Sequence, residues 1–169
     1  PTATQYARNA IFAGLTPLAI DKIMPDLWLN DNEHGGKNQH EEDFLRRQMQ
    51  SQGKSYKLFF DKIVKTDSGK RLIENFDRAA ADFSVIVYNF LDILSHARTE
   101  TQIIRDLAED EAAFRSLTRS WFEHSDLLEL MRLVADRGHT VIVTSDHGTI
   151  QVDRPVRVQG DRETSSNLR

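Results

Sequence analysis

The sequence contains no cysteine. That excludes disulfides and thiolate ligands, so a bound metal has to be held by His, Asp, Glu or hydroxyl groups. It also suits a reducing compartment, and a cytoplasmic location is expected. No apolar run approaches the ~20 residues of a membrane helix, and no signal peptide is visible, so no membrane partner is expected. There is no excess of positive charge. A net charge of −4 gives no global basic footprint for duplex nucleic acid and leaves a local basic groove open. There is no internal repeat and no low-complexity tract.

What is present is ordinary for a folded domain: 169 residues, 39% hydrophobic and 28% charged, enough for one domain with a core. The chain opens in Pro1-Thr-Ala-Thr4, which has the character of an active-site loop, and ends in Thr164-Ser-Ser-Asn-Leu-Arg169 without a closing element. The expectation is a fragment of a longer protein, incomplete at both ends.

Residues 5–14 read as a short helix with Tyr6, Ala10, Ile11 and Phe12 near one face, Thr4 at the N-cap and Gly14 at the C-cap. Leu15 to Ile20 begins a second helical segment. Residues 29–41 form a polar loop containing Asn30, Asp31, Gly35, Gly36, Lys37 and Asn38. A charged helix is expected over 41–52, a strand over 55–60, a helix over 70–76 and a buried strand over 82–88. Residues 99–117 and 119–137 carry helix-period apolar positions, the second closed by Gly138. A third strand is expected over Thr140–Thr144, and a hairpin around Asp153-Arg-Pro155. Alternating strands and helices indicate an α/β fold with a mainly parallel sheet sandwiched by helices.

The most informative stretch is Val141-Ile-Val-Thr-Ser-Asp-His-Gly148. A β-branched apolar run ending in Asp-His-Gly is how a buried strand delivers polar side chains to the C-terminal edge of a sheet. Asp146 and His147 are ordinary zinc-ligand types, and Gly148 is expected to relieve crowding at the turn. The plainer reading is a strand exit carrying a polar pair. Asp92 and His96 follow another apolar run at a spacing of four, which puts both on one helix face, within reach of a single ion. The plainer reading there is a surface pair, a spacing that chance often produces. Thr4 sits at the positive end of a helix, a favourable place for phosphate. A threonine becomes a useful nucleophile when a metal lowers the cost of its alkoxide, and otherwise it is a cap. His34, His40, His124 and His139 receive no ligand role.

The combination is more specific than its parts. Pro1-Thr-Ala-Thr4, Ala13-Gly-Leu-Thr-Pro17, Asp92-x-x-x-His96 and Ser145-Asp-His-Gly148 stand in the order seen in the alkaline phosphatase superfamily, and resemble its nucleotide pyrophosphatase/phosphodiesterase branch. The fuller match is to the PglZ domain, carried by residues 2–14 and by Gly160-Asp-Arg-Glu-Thr-Ser165, and the chain looks most like PorX-type response regulators of type IX secretion. The resemblance spans essentially all of residues 1–169, with about 21–80 as a family-specific insert. It implies Thr4 as nucleophile and ligand of one Zn²⁺ shared with Asp146 and His147. It implies a second Zn²⁺ on Asp92 and His96, with the remaining ligands outside this sequence. Arg8, Asn9 and Arg162 become candidates for phosphate or substrate contacts.

The implied function is hydrolysis of nucleotide or oligonucleotide phosphodiesters by the output domain of a two-component response regulator. Its partners would be a receiver domain and a second copy in a homodimer. The Cys/Ser-x-Pro-x-Arg motif of sulfatases is absent. The competing reading is a signalling or protein-interaction module that binds zinc with little turnover.

Overall fold

A computed structural model of the chain describes residues 4–30, 36–63, 69–148, 154 and 156. It divides into two compact units. One comprises Pro1–Ser55 with Val143–Arg169, the other Tyr56–Ile142.

The first unit is helical. α1 (Thr4–Ala13) runs from Thr4 to a left-handed Gly14, φ +64°, whose N–H bonds the Ala10 carbonyl at 2.9 Å. The positive φ favours glycine there, and a Cβ would also lie 2.2 Å from the Gln48 amide nitrogen, so that side chain would have to move aside. α2 (Pro17–Ile23) is capped by the Thr16 hydroxyl, which accepts from Ala19 N–H, with Pro17 at a position that needs no donor. A 3₁₀ turn over Pro25–Leu27 follows. α3 (Glu41–Ser51) carries Glu41, Glu42 and Asp43 in its first turn, where acidic groups complement the dipole. The core gathers Ala13, Ile20, Met24, Trp28 and Phe44, with Tyr6, Phe12, Leu15 and Leu27 around it. α1 buries Gln5 and Asn9 as well as Ala13, so two polar side chains lie on its inward face. Burial of that kind is tolerable only with internal hydrogen bonds.

The second unit is a strand–helix–strand motif with further helices. β1 (Leu58–Ile63) and β2 (Phe83–Tyr88) pair in parallel, Leu58 opposite Phe83 and Ile63 opposite Tyr88. α4 (Gly69–Ala79) connects them, as a parallel pair requires. α5 (Phe90–Glu100) leaves the end of β2, followed by α6 (Gln102–Leu107), α7 (Glu111–Glu123) and α8 (Asp126–Asp136). Ile63, Leu72, Leu130 and Val134 form the core, flanked by Phe59, Phe76, Ile86, Tyr88 and Leu127.

Three expectations change. The helical pattern over 99–117 is broken after Leu107, and Asp110 caps the start of α7, its carboxylate accepting from Ala113 N–H at 2.7 Å. The pattern over 119–137 is interrupted at His124 and Ser125, the latter standing at the N-cap of α8. Thr140–Thr144 is not a strand: no ladder partner is found among the described residues, and Ile142 and Val143 are 86% and 81% exposed. β-branched residues favour a pleated, half-covered surface, and without a neighbour that preference has nothing to act on. The fold is therefore a helix-rich α/β arrangement with a two-stranded parallel sheet among the described residues. The hairpin around Asp153 lies outside the described residues except for Arg154 and Val156.

Candidate active site

α1 and the segment after Thr144 bring three predicted residues together in the first unit. Thr4 Oγ1 lies 3.2 Å from His147 Nε2. His147 Nε2 lies 3.6 Å from Asp146 Oδ2, and both of these side chains are about one-fifth exposed. His147 Nδ1 stands 3.2 Å from the Gly148 carbonyl. A proton on Nδ1 donated to that carbonyl leaves Nε2 as the acceptor for the Thr4 hydroxyl, with its lone pair directed into the cluster. Asp146 Oδ2 is buried and has no hydrogen-bond partner among the described residues. A buried carboxylate oxygen in that position is costly by itself and becomes favourable beside a cation.

Gly148 departs from expectation. A Cβ there would meet nothing within 4 Å among the described residues, so none of them crowds this position.

Asp92 and His96 share one face of α5 in the second unit, with Asp92 Oδ1 3.6 Å from His96 Nε2. The spacing of four brings the groups side by side, and each is about 40% exposed. Asp92 also lies in the first turn of α5, where the dipole favours its carboxylate.

The two predicted phosphate contacts on α1 have partners inside the protein. Arg8 Nη2 is 2.6–2.7 Å from both carboxylate oxygens of Glu41, whose side chain is 2% exposed. Asn9 is buried; its Nδ2 donates to the Lys37 carbonyl at 3.1 Å and its Oδ1 accepts from Asn38 Nδ2 at 3.3 Å. Asn38 Nδ2 also reaches the Thr4 carbonyl at 3.4 Å. Gln5 Nε2 donates to the Leu29 carbonyl at 2.6 Å. Asn38 and Glu41 were not legible as site-related in sequence: they belong to a polar segment without periodicity, and their relation to α1 exists only in three dimensions. Arg162 lies outside the described residues, as do Pro1, Thr2 and Ala3.

Among the described residues no group of three or more His, Asp or Glu side chains is gathered as a metal site. The first cluster is a triad only when the Thr4 hydroxyl is counted. No helix of the described residues is long and apolar enough to cross a membrane.

A family model for the BREX system PglZ alkaline phosphatase-like domain matches residues 1–168. No curated protein matches the chain.

Proposed function

This chain belongs to the PglZ alkaline phosphatase-like family, and on that premise we propose that it is a metal-dependent phosphodiesterase with Thr4 as its nucleophile. The observation that carries the reading is the convergence of Thr4 Oγ1, His147 Nε2 and Asp146 Oδ2, the last buried and without a hydrogen-bond partner among the described residues. The donor set, one hydroxyl, one imidazole and one carboxylate, suits Zn²⁺. Thr4, Asp146 and His147 would hold one ion, and Asp92 with His96 would contribute to a second. Bound zinc would lower the cost of a threonine alkoxide and offset charge on the phosphate.

The remaining chemistry belongs to the chain. α1 presents Thr4 at its N-terminal end, where the helix dipole favours an anionic group. Thr4 Oγ1 gives up its proton to water and bonds to phosphorus as the bond to the leaving oxygen breaks. The leaving oxygen takes a proton from solvent. Water then attacks phosphorus, the Thr4–phosphorus bond breaks, and the hydroxyl is restored. The Gly148 carbonyl keeps the His147 ring oriented throughout.

Nucleotide or oligonucleotide phosphodiesters are the proposed substrates. The proposed setting is the cytoplasmic output domain of a response regulator, supported by the resemblance of residues 2–14 and 160–165. The test is zinc stoichiometry together with turnover of bis-p-nitrophenyl phosphate and p-nitrophenyl phosphate by the intact protein and its Thr4→Val and Asp146→Ala variants. The diester should turn over faster, Thr4→Val should be inert with zinc retained, and Asp146→Ala should lose zinc. Turnover indifferent to Thr4 would refute the nucleophile and favour a zinc-binding signalling module.

A further inference from the structure

Five side-chain hydrogen bonds join α1 to the segment between Leu29 and Glu41. Gln5 bonds the Leu29 carbonyl, Asn9 the Lys37 carbonyl, Asn38 both Asn9 and Thr4, and Arg8 the Glu41 carboxylate. Gln5, Arg8 and Asn9 fall at the i, i+3 and i+4 positions of one helix face. All three are polar where a packed helix would ordinarily be apolar. Asn9 and Glu41 are each 1% exposed, and Asn38 is half-buried.

Asn38 reaches Thr4 itself, donating to the backbone carbonyl of that residue at 3.4 Å. Thr4 begins α1, and helix ends hold their geometry less firmly than interiors. The β-branch of threonine leaves two main χ1 rotamers in a helix, so the directions open to Oγ1 follow the orientation of its own backbone. A donor that holds the Thr4 carbonyl therefore narrows where the hydroxyl points. Asn9 in turn holds Asn38 by accepting from the same amide nitrogen, and is itself anchored to the Lys37 carbonyl.

We propose that Asn38, held by Asn9, is a positioning residue that aims the Thr4 hydroxyl at its target. The inference rests on the assignment of Thr4 as nucleophile and assigns Asn9 to the strap in place of a substrate contact. Neither amide touches the reacting atoms, and the effect passes through the Thr4 backbone.

The test is steady-state turnover of bis-p-nitrophenyl phosphate by the intact protein, with folding checked by circular dichroism. Asn38→Asp keeps the shape and replaces the donor by an oxygen facing two other oxygens. Asn38→Ala removes the donor without adding charge and serves should Asn38→Asp not fold. The expected result is a fall in kcat of about tenfold, ~1.4 kcal/mol, with KM within about twofold of wild type. On a Thr4→Ser background, where the nucleophile lacks the β-branch and turns more freely, the loss should shrink to about threefold or less. A kcat within about twofold of wild type, a loss expressed in KM, or the same loss on Thr4 and Ser backgrounds would each overturn the proposal. Thr4→Val serves as the reference. If it turns over like wild type, the nucleophile assignment fails and this inference fails with it. If it is inert while Asn38→Asp is fully active, this inference alone fails.

Discussion

Removing the Glu41 carboxylate is expected to destabilise the first unit strongly. Its side chain is 2% exposed and its partner Arg8 12% exposed, with 2.6 Å between them. Glu41→Ala leaves a guanidinium largely out of water and without that counter-charge, which costs about 3–5 kcal/mol for a buried pair. The exposed edge of Arg8 places the expectation at the lower end, roughly 3 kcal/mol. For a chain of this size that lowers Tm by about 6–12 °C. Glu41→Gln retains an acceptor and should cost less, about 1.5–2 kcal/mol. Replacing both partners, Arg8→Met with Glu41→Leu, should recover most of the loss, because apolar contact can substitute for a buried ion pair. Thermal unfolding followed by fluorescence reads this directly, since Trp28 belongs to the same core and lies 5.8 Å from the Tyr6 ring. A Trp121→Phe background removes the other tryptophan, which lies in the second unit. Losses below about 1 kcal/mol for Glu41→Ala, or full additivity in the double variant, would refute the buried-pair argument.

Other positions give independent checks. Gly14→Ala should cost about 1–2 kcal/mol from the positive φ alone, and more if Gln48 cannot move aside; a denaturation midpoint equal to wild type would contradict the placement. Asp110→Ala should cost about 1 kcal/mol by uncapping α7, whereas Asp110→Ser should cost much less, as read by urea unfolding. Burial, and secondarily the Asp126 carboxylate, push the Tyr88 phenol above its ordinary value of 10.0. A raised folded pKa means that this contribution to stability is complete below pH 10 and is lost as pH rises through the folded value. The Tyr88→Phe difference spectrum should therefore place its ionisation above that of tyrosine in the unfolded chain, and an unshifted titration would contradict its environment.

Sequence reading reached the local features and stopped at the long-range ones. α1, its Gly14 stop, and α3, β1, α4 and β2 were legible within a few residues, because caps, periodicity and β-branched runs are local signals. The lengths of the later helices were not. Asp110 and Ser125 fall inside the longer expected patterns, and they stand at helix starts. The run Val141–Val143 has strong strand character, but strand formation depends on a neighbour, which no single segment specifies. At the site, the approach of Thr4 to His147 followed from recognising the order of motifs, since the two lie 143 positions apart. The strap of Asn38 and Glu41 against α1 was invisible, because a buried polar helix face looks the same in sequence as a solvated one.

The stereochemical course at phosphorus decides whether Thr4 is the nucleophile. A diester made chiral at phosphorus with sulfur and oxygen isotopes would be hydrolysed by the zinc-loaded intact protein, and the configuration of the product determined. Attack by Thr4 followed by attack of water is two in-line displacements, so the account predicts net retention. Net inversion would mean that water attacks the substrate directly, and would remove Thr4 from the role on which the account depends.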